Sequence, residues 1–195
     1  MTSSDRQPTE PAEPAYADRA YRSGGGIVGG VLILALGAWL GGDALIRGEG
    51  RVPWVALAAL VFAVPLVVAY TVRPAVFANN DRLRVRNPFR VITLPWASVE
   101  GLRSGYTTEV YAKGGTKYQV WAIPVSIRAR KKARKAGAGA DKAPSDEAVT
   151  ELNEIAEREA KSPTAQGDPE IRWAYEILIP AAAGAALLGA LLLIG

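Results

Sequence analysis

Three runs without a charged side chain constrain this chain more than anything else in it: residues 24–42, 52–72 and 177–195. Each is 19 to 21 residues long. At 1.5 Å of rise per residue, a helix of that length crosses the ~30 Å hydrocarbon core of a bilayer. Residues 43–51 alone separate the first two runs, so these fold back as an antiparallel hairpin. Pro53 suits the first turn of the second helix. Pro65 is expected to kink it. Trp39 and Trp54 fall near the turn, where an aromatic belt would lie. The varied chemistry is confined to residues 73–176, close to lipid headgroups.

Composition removes whole classes of function. The chain has no His and no Cys. A Ser-His-Asp triad, a cysteine nucleophile, a His-ligated metal and a disulfide are therefore excluded. Asp81, Glu100 and Glu109 stand apart in sequence, and no carboxylate pair points to acid–base work. The expectation is no enzyme, no catalytic residue, no metal and no cofactor.

Charge is divided by segment. Residues 73–135 carry 14 basic against three acidic side chains, and residues 136–195 carry four against ten. A basic block directly after a span attracts anionic headgroups, at ~1 kcal/mol per Lys or Arg near the surface. Counting Lys and Arg beside the spans puts the N-terminus and the central segment in the cytoplasm, and the C-terminus outside. Gly25/Gly29, Gly26/Gly30 and Gly37/Gly41 have the spacing that lets helix backbones approach closely. Asp43, beside Gly41 and Gly42, reads as an interfacial residue.

Five segments follow from the composition. Residues 1–24 are rich in Pro, Glu, Ser and Ala and read as a disordered tail. Residues 25–72 form the helical hairpin, and 73–135 a β module with a basic helix. Residues 136–172 form a linker and an acidic helix, and 173–195 the third span. Trp173 and Tyr175 suit the interface at its start.

Within the module the period changes to two. Arg82, Arg84 and Arg86 share one strand face, and Leu83 and Val85 the other. Asn87 and Pro88 supply turn chemistry, and residues 89–94 return as the next strand. Trp96, Val99 and Leu102 recur every three residues, which reads as one short helical turn. Gly114-Gly115 fits a two-residue hairpin turn, pairing Tyr111 with Tyr118 and Val110 with Gln119. Tyr111, Tyr118 and Val120 compete with Val110, Trp121 and Ile123 for the core side. Residues 126–135 turn helical, and residues 146–161 form a helix capped by Ser145 or Asp146, with Val149, Leu152, Ile155 and Ala156 as an apolar stripe.

The run from Arg73 to Leu102 resembles the bacterial pleckstrin-homology-like module of actinobacterial membrane proteins, closest to the low molecular weight protein antigen 6 type. Leu83, Val85, Asn87 and Pro88 match its first hairpin. Pro95, Trp96 and Val99 match the turn that follows, and the turn at residues 113–117 a later glycine-containing one. The resemblance covers residues 73–125. It implies a small antiparallel β module at the inner membrane face, without catalysis. Five strands are readable, against seven in a full pleckstrin-homology fold. Either helix, 126–135 or 146–161, could close the module.

The expected fold is therefore three transmembrane helices plus a small antiparallel PH-like cytoplasmic β module with short helices. Trp96 is expected to fill its core. Arg82, Arg84 and Arg86, with Arg90 on the returning strand, offer a headgroup-binding or partner-binding face; a solvated outer face is the competing reading. Arg128, Arg130, Lys131, Lys132, Arg134 and Lys135 offer a polybasic membrane-surface segment or a contact for the acidic helix. Without interleaved aromatics, no nucleic acid is expected. The function expected is that of a non-enzymatic integral membrane protein of the cell envelope, whose module binds a protein partner or anionic lipid headgroups at the inner membrane surface. The alternative is a structural subunit or assembly factor acting through its transmembrane helices, with helix-mediated oligomers. Expected partners are membrane lipids and a membrane or envelope protein.

Overall fold

The computed structural model describes residues 19–129, 131 and 143–194. Three of its helices are long and apolar enough to cross a membrane: Gly24–Arg47, Val52–Val72 and Tyr175–Leu193. Helix α1 (Gly24–Arg47) starts at Ser23, whose hydroxyl accepts the Gly26 N–H at 3.1 Å. Helix α2 (Val52–Val67) has Pro53 in its first turn and Pro65 inside. Its end widens into a π-helical turn, Val68–Val72. Helix α2 packs against both α1 and the last helix. At the end away from the β module, the Arg51 guanidinium donates to the Leu191 carbonyl at 2.9 Å, and Arg47 pairs with Asp43 at 3.2 Å.

Not every glycine of α1 is an approach point. A Cβ on Gly30 or Gly41 would run into Thr71 or Leu60 of the neighbouring span, whereas Gly25, Gly29 and Gly37 have open space around them. The close approach to a neighbouring span's backbone lies elsewhere: a Cβ on Gly184 would meet the Phe62 main chain, 2.7 Å from its Cα.

Residues outside the spans fold as two sheets. One has five strands in the order β1-β2-β3-β4-β8, the other three in the order β5-β6-β7. These are β1 (Arg19–Tyr21), β2 (Ala75–Ala78), β3 (Arg82–Arg86), β4 (Arg90–Pro95), β5 (Val99–Ser104), β6 (Thr108–Ala112), β7 (Lys117–Gln119) and β8 (Glu170–Trp173). All pairings are antiparallel. Alternation in β3 buries Leu83 and Val85, as the period predicts. Their neighbours Val76, Ile92 and Leu94 join Trp96, Val110, Tyr118 and Val120 in one core. Trp96 is fully buried, and its indole N–H donates to the Asn79 carbonyl at 2.7 Å.

Helix α3 (Pro144–Glu159) closes this core with Val149, Leu152, Ile155 and Ala156. Asn153 binds the β5 backbone like a strand partner: its Oδ1 accepts the Leu102 N–H at 2.7 Å, and its Nδ2 donates to the Leu102 carbonyl at 3.0 Å. The acidic helix is thus part of the module, not a separate linker segment. Its N-cap is Ala143, with Pro144 in the first turn, rather than Ser145 or Asp146. Helix α4 (Tyr175–Leu193) is the third span.

Several other expectations change. Residues 19–21 lie in the tail read as disordered, yet they form β1, because β2 offers an unpaired edge and α3 a partner. Tyr21 donates to Glu151 at 2.6 Å, and Arg19 pairs with the same carboxylate. Burial pushes the Tyr21 phenol above its ordinary range, reinforced by the hydrogen bond to Glu151 and by its charge. The Trp96–Val99–Leu102 spacing is a 3₁₀ turn at Trp96–Ser98 followed by strand. A bulge between Val99 and Gly101 lets Val99 and Leu102 share one face despite their odd spacing. The glycine hairpin pairs Val110 with Tyr118 and Tyr111 with Lys117, one residue from the expected register. Its loop is three residues long, closed by Ala112 N–H to the Thr116 carbonyl at 2.8 Å, with Gly114 and Gly115 at φ +89° and +81°. That slip decides the core side: Val110, Tyr118 and Val120 are buried, and Trp121 is not.

Candidate functional site

The outer face of the five-stranded sheet carries a cleft of about 400 Å³ lined by four arginines. Strand register builds it in two rows. Phe77, Arg84, Thr93 and Glu170 lie side by side across β2, β3, β4 and β8. One step closer to the spans lie Ala75, Arg86, Val91 and Arg172. Val91 and Thr93 form the floor, with Arg84 and Arg86 on one side and Glu170 and Arg172 on the other. Since strands lie about 4.8 Å apart, Arg86 and Arg172 rise roughly 10 Å apart across Val91. Two long guanidinium side chains rooted at that separation have the reach to meet at a phosphate-sized anion between them.

The end nearest the helices is made by the spans themselves. Arg73 follows the second span and is almost fully buried; its Nε donates to the Asn87 carbonyl at 3.3 Å. It pairs with Glu176 of the first turn of α4 at 2.9 Å. Arg84, Arg86 and Arg172 make no ion pair among the described residues. Arg22 and Arg86 both lie over the Phe77 ring, at 5.8 and 6.0 Å from its centroid. Burial, with the charges of Arg73, Arg22 and Arg84, holds the Arg86 guanidinium below its usual range. An anion in the cleft would relieve that crowding. Forked guanidinium groups bind phosphate or carboxylate through paired charge-assisted hydrogen bonds. No cluster of three or more acidic side chains that could hold a metal occurs among the described residues.

The candidate residues divide accordingly. Arg84 and Arg86 line the cleft. Arg82 shares their face but lies four residues from Arg86, roughly 13 Å along the strand, and is exposed outside it. Arg90 does not join them. Val91 and Thr93 are the β4 residues on the arginine face, so Arg90 belongs to the opposite one, where it lines a separate cavity with Tyr70, Phe89 and Trp121. The third and fourth positions are taken instead by Arg73 and Arg172, which sequence reasoning passed over. The signal for Arg172 was present: residues 170–173 alternate charged and apolar side chains, a strand period where the linker and acidic-helix segment meets the third span. Arg128 and Lys131 are exposed and helical. Arg130, Lys132, Arg134 and Lys135 lie outside the described residues.

Three membrane-length helices joined to an antiparallel two-sheet module closed by a helix define a membrane protein with a PH-like domain. Residues 73–144 match a family model described as Bacterial PH domain. The match takes in β2–β7 and ends at the first residue of α3, so β1, β8 and nearly all of the closing helix lie beyond it. No curated protein and no solved structure matches the chain.

Proposed function

We propose that this chain is a non-enzymatic, multi-pass protein of the cell membrane whose PH-like module faces the cytoplasm and binds anionic lipid headgroups in the arginine cleft. One observation carries the reading. Arg84, Arg86 and Arg172, without ion pairs among the described residues, converge on a cleft whose membrane end is Arg73 and Glu176, the residues that leave the second span and open the third. A headgroup phosphate at the bilayer surface is the anion nearest to hand. Each Arg near that surface adds about 1 kcal/mol of attraction, and forked hydrogen bonds add to it. Arg82 is placed too far along β3 to share in this.

The test uses the full-length protein in mild detergent, with retained lipid read by native mass spectrometry. Phosphatidylglycerol is expected to be retained at least about tenfold better than phosphatidylcholine, equivalent to about 1.4 kcal/mol. R86Q/R172Q should abolish that preference and R82Q should leave it. Inorganic phosphate, supplied in a separate arm, competes only if a free anion suffices. Equal retention of the two lipids, or an unchanged preference in R86Q/R172Q, overturns the reading.

A second reading, a structural subunit acting through its helices, is favoured by Gly25, Gly29 and Gly37. These open outward with nothing within 4 Å of an added Cβ, a face that another helix could approach closely.

A further inference from the structure

A second feature of the module lies on the other side of the β3–β4 turn and plays no part in the arginine cleft. Tyr70, in the π-helical end of the second span, stacks edge-on against Phe89 of that turn at 5.3 Å and against Trp121 at 5.4 Å. Trp173, at the end of β8, joins them around a cavity of about 270 Å³, with Arg90 at its wall. Phe89 also packs against the cluster of Ala69, Ala174 and Ile177 where the second span ends and the third begins. The turn is therefore wedged against two membrane helices. Yet Tyr70, Trp121 and Trp173 remain 46%, 44% and 51% exposed, a large aromatic face left open.

The connections explain what covers it. Two residues separate β1 from α1, two separate the second span from β2, and one separates β8 from α4. At no more than about 3.6 Å per residue, one end of each of these strands lies within roughly 10 Å of a span end. Three such tethers leave no room for a water layer under the module. The headgroup zone on each side of the hydrocarbon is itself about 5–8 Å deep.

We infer that this aromatic face is seated in the bilayer interface, with Trp121 and Trp173 at headgroup depth in the leaflet that Arg73 borders. The inference rests on the three helices being spans and is independent of what fills the arginine cleft. Tryptophan and tyrosine favour this zone because one part of the ring system is apolar and the other hydrogen-bonds. Arg90, beside them, meets lipid phosphate. The module is thereby held part-immersed at one fixed tilt, not suspended on linkers.

Depth-dependent fluorescence quenching tests this in the full-length protein reconstituted into phosphatidylcholine vesicles. W39F/W54F removes the two tryptophans at the other end of the hairpin. Adding W173F or W121F then isolates Trp121 or Trp173 beside Trp96, which is buried and reports the fold. Bromine placed high on the acyl chains should quench Trp121 and Trp173 by at least about twofold, and more than bromine placed deep. Aqueous acrylamide should do little, and Trp96 should respond to neither. In parallel, Q119C, at the exposed rim of the same cavity, and K113C each introduce the sole thiol of the chain. An environment-sensitive label should report an apolar interface at 119 and water at 113, at the loop end of the β6–β7 hairpin. If Trp121 and Trp173 respond to acrylamide and not to lipid bromine, or if the two labels both report water, the inference is overturned. Shielding from both quenchers, the signature of a protein covering the face, overturns it as well.

Discussion

Asn153→Ala tests whether the acidic helix is an integral wall of the module. In the structure the Asn153 amide pairs with both the N–H and the carbonyl of Leu102, at 2.7 and 3.0 Å, across 51 residues of sequence. Leu102 is buried, so neither backbone group finds water once the amide is gone. An orphaned buried donor or acceptor costs about 1–3 kcal/mol, which puts the pair at about 2–6 kcal/mol. At 1.4 kcal/mol per factor of ten, the Leu102 amide should exchange with deuterium about 30- to 20,000-fold faster. Asn153→Asp keeps an acceptor for the N–H but offers no donor to the carbonyl, so it should fall between. Hydrogen exchange on the full-length protein in mild detergent, resolved to peptides spanning β5, reads the effect directly. Leu152→Ala, beside it and fully buried, should cost about 2–5 kcal/mol through the cavity it leaves. If Asn153→Ala leaves Leu102 as protected as in the parent, the helix does not close the sheet and the reasoning fails.

Two further outcomes follow from the same structure. Gly184→Leu should separate the second and third spans, because even a Cβ there comes within 2.7 Å of the Phe62 Cα; thermal aggregation in detergent should begin at a lower temperature, while Gly189→Leu, with open space, should change little. The Tyr21 phenol is held above its ordinary value near 10 by burial and by Glu151. Above that pH the unfolded chain releases a proton that the folded chain keeps, so this contribution to stability is present below pH 10 and lost as pH rises beyond it. Thermal melts between pH 9 and 11 should therefore show a steeper loss for the parent than for Y21F, and equal slopes would contradict the burial of that hydroxyl.

Much of this architecture was legible in the sequence, because its signals are local. Charge-free runs marked the spans. A period of two marked β3, with Leu83 and Val85 inward and the arginines outward, and the residues around Trp96 pointed to its burial. What escaped detection depends on pairing between distant segments. Strand β1 is three residues long and exists only because β2 lends it an edge and Glu151 holds its side chains. Strand β8 lies about 80 residues from its partner β4. The hairpin register turned on whether its loop held two residues or three, a choice that two adjacent glycines permit either way.

The arginine site shows the same division. Sequence by itself determined that residues 73–135 are strongly basic, that they follow a span, and that Arg84 and Arg86 share a face. It also determined that no His or Cys chemistry is present. Only the tertiary structure decided which cations meet. It removed Arg90, one residue out of phase with Val91 and Thr93. It left Arg82 too far along the strand. It brought in Arg73 and Arg172, which lie 99 positions apart in the chain. The physical reason is that side-chain direction follows from local backbone period, whereas convergence on an anion requires neighbouring strands, and strand neighbours are set by non-local hydrogen bonds that no local pattern encodes.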